Sequence, residues 1–204
     1  MSEAREAILA RTRAALRDAG APEPAARAYR RAGARDTPAR LDLLVERLVD
    51  YRAHVKRTSE SALRGLIDDI VGNSRIGVPT GLPTAWRPAN AVEDSGLGAR
   101  ALDGLDGVVT GCTVAVAETG TLILSGGAKE GRRALTLVPD LHVCVVGVGQ
   151  IVETVPEAFD ALRGLERRPL TFVSGPSATS DIELRRVEGV HGPRTLVVLI
   201  VEEA

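Results

Sequence analysis

The sequence predicts an α/β fold: a central, largely parallel sheet flanked by helices. Two observations carry that prediction. From Arg75 onward, short Val- and Ile-rich runs alternate with turns marked by Gly and Pro. Runs such as Val143-Cys144-Val145-Val146 show no polar alternation, so both faces of those strands are covered, as in parallel sheets. Helices packed on the sheet are the usual cover.

Taken in order, Ser2 caps a first helix whose Ile8, Leu9, Ala15 and Leu16 share one face, and Gly20 stops it. Residues 21–37 read as a loop, rich in Ala and Arg with two prolines. Thr37 and Pro38 form an N-cap and N1 pair. Behind them Leu41, Leu44, Val45, Leu48 and Val49 follow helical spacing. A third helix starts after Thr58, with Leu63, Leu66, Ile67, Ile70 and Val71 repeating the pattern before Gly72. The expected strands are Ile76–Val78, Val108–Val109, Val114–Ala117, Thr121–Leu124, Leu135–Val138, Val143–Val146, Thr171–Val173 and Leu196–Val201. One helix interrupts them, Pro156 to Leu165, with Phe159 and Leu162 on one side. The chain divides into a helical N-terminal arm, 1–57, and an α/β domain, 58–204. The arm holds 13 basic and 8 acidic groups, against 13 and 19 in the remainder.

Composition narrows the function. The chain of 204 residues has a formal charge of −1, so no field draws it to nucleic acid or an anionic membrane. It has five aromatic rings in all, too few for the stacking platforms of single-strand binders. Only two of its 26 cations are lysines, Lys56 and Lys129. Its two cysteines, Cys112 and Cys144, form no C-x-x-C, which argues against a metal or iron–sulfur cofactor held by this chain. A charged N-terminus and short apolar runs give no signal peptide or membrane span, so a cytoplasmic protein is expected.

Four polar clusters stand at the ends of apolar runs, where open α/β sheets bind ligands. In Glu118-Thr119-Gly120-Thr121 a carboxylate for acid–base work sits beside two hydroxyls and a flexible backbone; the same residues also suit a solvated β-turn. Gly126-Gly127-Ala128-Lys129-Glu130-Gly131-Arg132-Arg133 has the glycines and cations of an anion site, with Arg132 and Arg133 as forks, or of a solvated basic loop. In Asp140-Leu141-His142 the carboxylate could orient the imidazole if both lay on one strand face, the alternative being a packed structural histidine. The stretch from Ser174 to Glu183, containing Gly175, Ser177, Ser180 and Asp181, offers a hydroxyl-rich anion nest or a capped turn. Downstream, His191 stands among glycines and a proline.

In this order, the clusters resemble the LUD-domain family, specifically the lactate utilization protein C (LutC/YkgG) branch. The matching stretches are Ala117–Leu124, Gly131–Val146, Ser174–Ser177 with Ser180–Glu183, and Gly189–Pro193. They cover the second half of the chain; the first 70 residues carry no matching motif. The resemblance implies a three-layer α/β/α sandwich of the NagB/RpiA/CoA-transferase-like kind. It implies a role in oxidising L-lactate to pyruvate, as a cluster-free component beside iron–sulfur oxidoreductase subunits, with a small anion such as lactate as ligand. It supplies no catalytic set. Strand-end position and chemistry assign Glu118, His142 and Asp140 to catalysis. On the same grounds Thr119, Gly120, Thr121, Arg132, Arg133, Ser174, Gly175, Ser177, Ser180, Asp181 and His191 are assigned to ligand binding. A stand-alone enzyme on an acyl-CoA, folate or sugar phosphate is the alternative, and an effector-binding regulator a third.

Overall fold

The computed structural model describes residues 3–17, 28–165, 167–176 and 192–202. The expectations for Ser2, Gly20, Ser177, Ser180, Asp181 and His191 therefore lie outside the described residues. Residues 1–30 and 31–204 form two separate units. In the first, helix α1 (Glu3–Ala15) has no buried residue.

The second unit is built on a six-stranded, all-parallel sheet. Its strands are β1 (His54–Ser59), β2 (Ile76–Pro79), β3 (Ala91–Asp94), β4 (Gly107–Thr110), β7 (Leu141–Gly147) and β10 (Thr195–Glu202), in the order β1-β10-β7-β4-β2-β3. The chain between β4 and β10 forms a second sheet from β5 (Val114–Val116), β6 (Thr121–Leu124), β8 (Ile151–Val152) and β9 (Thr171–Val173), in the order β8-β5-β6-β9. The expected parallel sheet holds. The Val114 and Thr121 runs nevertheless leave it, because the four residues between them permit only an antiparallel hairpin.

Alternating side chains put the two sheet faces into different cores. Val143, Val145, Val197, Leu199 and Val201 pack on Leu63, Ile67 and Val71 of α3 (Glu60–Val71). Cys144, Val146, Leu196, Val198 and Ile200 pack on Leu41, Leu44 and Leu48 of α2 (Thr37–Asp50) and on Ala115, Leu122 and Leu124 of the second sheet. The other face of the second sheet, with Val114, Val116 and Ile123, is closed by Ala158 and Leu162, at α6 (Val155–Ala161). Near β4, Val108 meets Leu102 of α4 (Ala99–Asp103) and Leu135 of α5 (Arg133–Leu137). Helices thus lie on both sides of the parallel sheet.

Several elements depart from expectation. The run Leu135–Val138 is helical, not extended: four apolar residues are too few to distinguish the two by periodicity. Strand β1 is an edge strand whose exposed Lys56 and Arg57 interrupt any apolar run. It pairs in parallel with β10, so a boundary at residue 57 would cut the sheet. The preceding segment is also tied down. Arg35 donates its main-chain N–H (2.7 Å) and Nη1 (2.8 Å) to Glu153, whose side chain is 2% exposed. The caps shift by a residue: Asp36 accepts from Ala39 N–H to open α2, and Ser59 from Ala62 N–H to open α3. Within α6, Leu162 is buried at its C-cap while Phe159 is 54% exposed and lies against Phe172.

Leu199 is fully buried in the α3-facing core, whereas Val49 on α2 is 55% exposed. Leu199→Ala is expected to cost about 3 kcal/mol in urea unfolding, and Val49→Ala under about 0.5 kcal/mol.

Candidate functional site

The parallel strands end together on one edge of the sheet, and a cavity of about 370 Å³ opens there. Its floor is Val145 and Gly147 of β7, Val201 of β10, and Gly111 and Cys112 just past β4. Glu60, the first residue of α3, Trp86 and Lys129 stand on its walls, and the 3₁₀ turn Val148–Gln150 closes it. The three side chains on the wall form a chain of contacts. Trp86 Nε1 donates to Glu60 Oε1 at 2.9 Å, and Lys129 Nζ lies 5.2 Å from the centroid of the Trp86 ring, a cation–π contact.

A buried carboxylate holds the loop carrying Lys129. Glu130 is 5% exposed and accepts from Ser125 N–H (2.6 Å), Ser125 Oγ–H (3.2 Å), Gly127 N–H (3.0 Å) and the Thr113 hydroxyl. Lys129 is further fixed because its carbonyl accepts from Gly111 N–H at 2.8 Å. Across the cavity, Gln150 Oε1 accepts from Gly147 N–H (2.8 Å), while its Nε2 donates to the Cys112 carbonyl. One amide therefore joins the end of β7 to the start of the second sheet.

Beneath this floor lies a polar pocket inside the sheet. His142 is buried and its Nε2 lies 2.8 Å from Thr110 Oγ1, on the adjacent strand β4. Cys144 and Cys112 are buried in one core, Cys144 Sγ 3.6 Å from the Gly111 carbonyl and Cys112 Sγ 3.2 Å from that of Val114. The neighbouring Cys112, with His142 and Thr110, brings the Cys144 thiol down to about 6 against the opposing effect of burial. The Cys112 thiol, next to that negative sulfur and buried, is pushed up.

The predicted residues do not gather at one place. The Glu118–Thr121 turn lies at the other end of the second sheet. Thr121 Oγ1 is 2.8 Å from both Thr119 Oγ1 and Ser174 Oγ, so those two predicted clusters do meet. They meet against the C-terminal end of α2. Gly120 (φ 58°) and Gly175 (φ 80°) allow the contact: a Cβ on either would come within 3.0 Å of Arg47 or Tyr51. Glu118 is half-buried in this turn, its N–H donating to the Glu153 carbonyl.

Arg132 and Arg133 border a separate cavity of about 200 Å³ with Glu130 and Gly131. Arg132 is already engaged by Asp94, through Nε (2.7 Å) and Nη2 (2.9 Å). The Asp140–His142 pairing is corrected. Asp140 precedes β7, so strand alternation does not align it with His142; it binds Arg194 instead, at the opposite edge of the sheet. Among the described residues no group of three or more His, Cys, Asp or Glu could hold a metal ion, and no helix is long and apolar enough to cross a membrane.

The strand-end geometry now has a family context. A family model described as the LUD domain matches residues 87–201, more than half of the chain. The chain belongs to the LUD-domain family. It falls in the lactate utilization protein C (LutC/YkgG) branch, and is similar to lactate utilization protein C of Deinococcus radiodurans. That match is 49% identical over 162 residues, 76% of each chain. Escherichia coli YkgG is 34% identical over 124 residues, spanning 58% of this chain and 52% of that relative. A crystal structure of a DUF162 family protein from Deinococcus radiodurans gives a TM-score of 0.74 at 41% identity, covering 82% of this chain and 99% of that one. The cavity residues Gln150, Trp86 and Glu60 were missed from sequence; the last two precede the residues that the LUD model matches. The G-x-G after the run Val143–Val146 and the sole tryptophan are the signals that could have found them.

Glu130→Ala leaves two main-chain N–H groups without their acceptor and is expected to destabilise the protein by about 3 kcal/mol, measured by denaturant unfolding. Asp94 is held below the ordinary aspartate value, first by the Arg132 hydrogen bond. Its contribution is therefore present above that ordinary value and is lost as pH falls through the lowered one. Asp94→Asn is expected to reduce stability at neutral pH and to flatten the loss of stability on acidification, read from unfolding midpoints across that range.

Proposed function

We propose that this chain acts in lactate utilization, as the cluster-free component of a cytoplasmic system oxidising lactate to pyruvate beside iron–sulfur oxidoreductase subunits. The observation that carries the reading is the 49% identity to lactate utilization protein C over 76% of each chain. The strand-end cavity, of the size that holds small molecules, is the proposed ligand site. Lys129 supplies a cation at its wall for a carboxylate. Few aromatic rings and many main-chain groups suit a small polar anion better than a flat cofactor. The redox centre is assigned to the partner subunits.

The alternative, a stand-alone enzyme on an acyl-CoA, folate or sugar phosphate, rested on Glu118 as nucleophile or base, with Arg132, Arg133 and the Ser174–Ser177 loop holding the anion. Ser174 does meet Thr121 in the turn that carries Glu118. Glu118 and the two arginines lie beyond opposite ends of β6, whose length alone sets them about 10 Å apart.

The test is a lactate-dependent electron-acceptor assay on the reconstituted subunits, with and without this chain. The expected result is loss of the rate when the chain is omitted. With Lys129→Met, the KM for lactate is expected to rise about 10-fold or more, the size of one charge-assisted hydrogen bond. A full rate without the chain overturns the proposal.

A further inference from the structure

The two cysteines of this chain stand 32 residues apart in sequence yet share one buried core at the cavity floor. Thr110 and Cys144 are opposite one another in the β4–β7 ladder, and Cys112 follows two residues after Thr110. Cys112 lines the cavity and is 5% exposed, whereas Cys144 is fully buried behind it. Cys112 Sγ lies 3.2 Å from the Val114 carbonyl, and Cys144 Sγ lies 3.6 Å from that of Gly111. Both sulfurs are therefore held at the joint between the two sheets, with His142 and Thr110 on the same face.

We propose that Cys112 and Cys144 are a redox-active dithiol that small hydroperoxides, entering through the strand-end cavity, oxidise to an intramolecular disulfide. The β4–β7 register sets Cys144 near Cys112 in one core, so the cysteine that a hydroperoxide meets at the cavity has a second one close behind it. Cys112, the one of the two that lines the cavity, acts as the nucleophile once it gives its proton to water. The Cys112 thiolate attacks the O–O bond of the hydroperoxide; a sulfur–oxygen bond forms, the O–O bond breaks and the alkoxide leaves, becoming an alcohol with a proton from water, giving a sulfenic acid on Cys112. Cys144 then attacks the sulfenic sulfur. The S–S bond forms, the S–O bond breaks, and hydroxide departs as water with the Cys144 proton; the two sulfurs have lost two electrons and the peroxide has gained them. The proposal does not depend on lactate as ligand.

The test uses the full-length reduced protein with tert-butyl hydroperoxide, read by intact mass and by a non-reduced peptide map. The expected product has lost two hydrogens, contains a Cys112–Cys144 cross-linked peptide, and has no thiol left to alkylate until dithiothreitol is added. Cys144→Ser is expected to stop at the sulfenic acid, trapped on Cys112 by dimedone, and Cys112→Ser to slow oxidation at least about tenfold. The wild-type measurement stands even if a variant fails to fold. Retention of both alkylatable thiols in the treated wild-type protein, or a disulfide between two molecules, overturns the proposal.

Discussion

Strands β7 and β10 are covered on both faces, and this constraint governs the rest of the molecule. Every residue from Val143 to Val146 and from Leu196 to Val201 is buried. A polar side chain placed there must find its partner inside the sheet. The adjoining His142 does so with Thr110, and Cys144 with the Gly111 carbonyl. Ligand-accessible chemistry is thereby pushed to the strand ends, where the chain leaves the ladder and main-chain groups become available. The cavity forms at the C-terminal edge. The N-terminal edge is closed by the Asp140–Arg194 pair instead.

The second sheet shows how this arrangement is extended. Its inner face shares a core with α2 and the parallel sheet, and its outer face carries α6. Thr113 and Gln150 stand where the two sheets join; Gln150 is bonded to Cys112, which borders the cavity, and Thr113 to Glu130. Through Glu130, the same joint holds the loop from Ser125 to Gly131.

The parts readable in the sequence were those governed by local periodicity. Helix α3 repeats its apolar spacing through Leu63, Ile67 and Val71, and the central strands announce themselves by unbroken apolar runs. Strand β1 was not legible, since an edge strand needs no such run, and α5 was not, since one helical turn is too short to display a period. The site was harder for a different reason. Arg132 meets Asp94 across 38 residues, and Asp140 meets Arg194 across 54. Such partners consume charges that look available when only neighbours in sequence are considered. Lys129 stood out by rarity, whereas Gln150 and Glu60 gained meaning only from the ends of strands that fold far apart in the chain.

The cation over Trp86 has a thermodynamic corollary. A lysine side chain ordinarily carries about 2 kcal/mol of rotamer entropy, much of which a ligand must freeze out on binding. Here the ring already confines the ammonium, and the bonds of Gly111 and Glu130 fix the backbone beneath it. Much of that ordering is completed as the chain folds. An anion docking on Lys129 therefore meets a preorganised charge, and affinity for small ligands depends less on how many atoms they offer for contact.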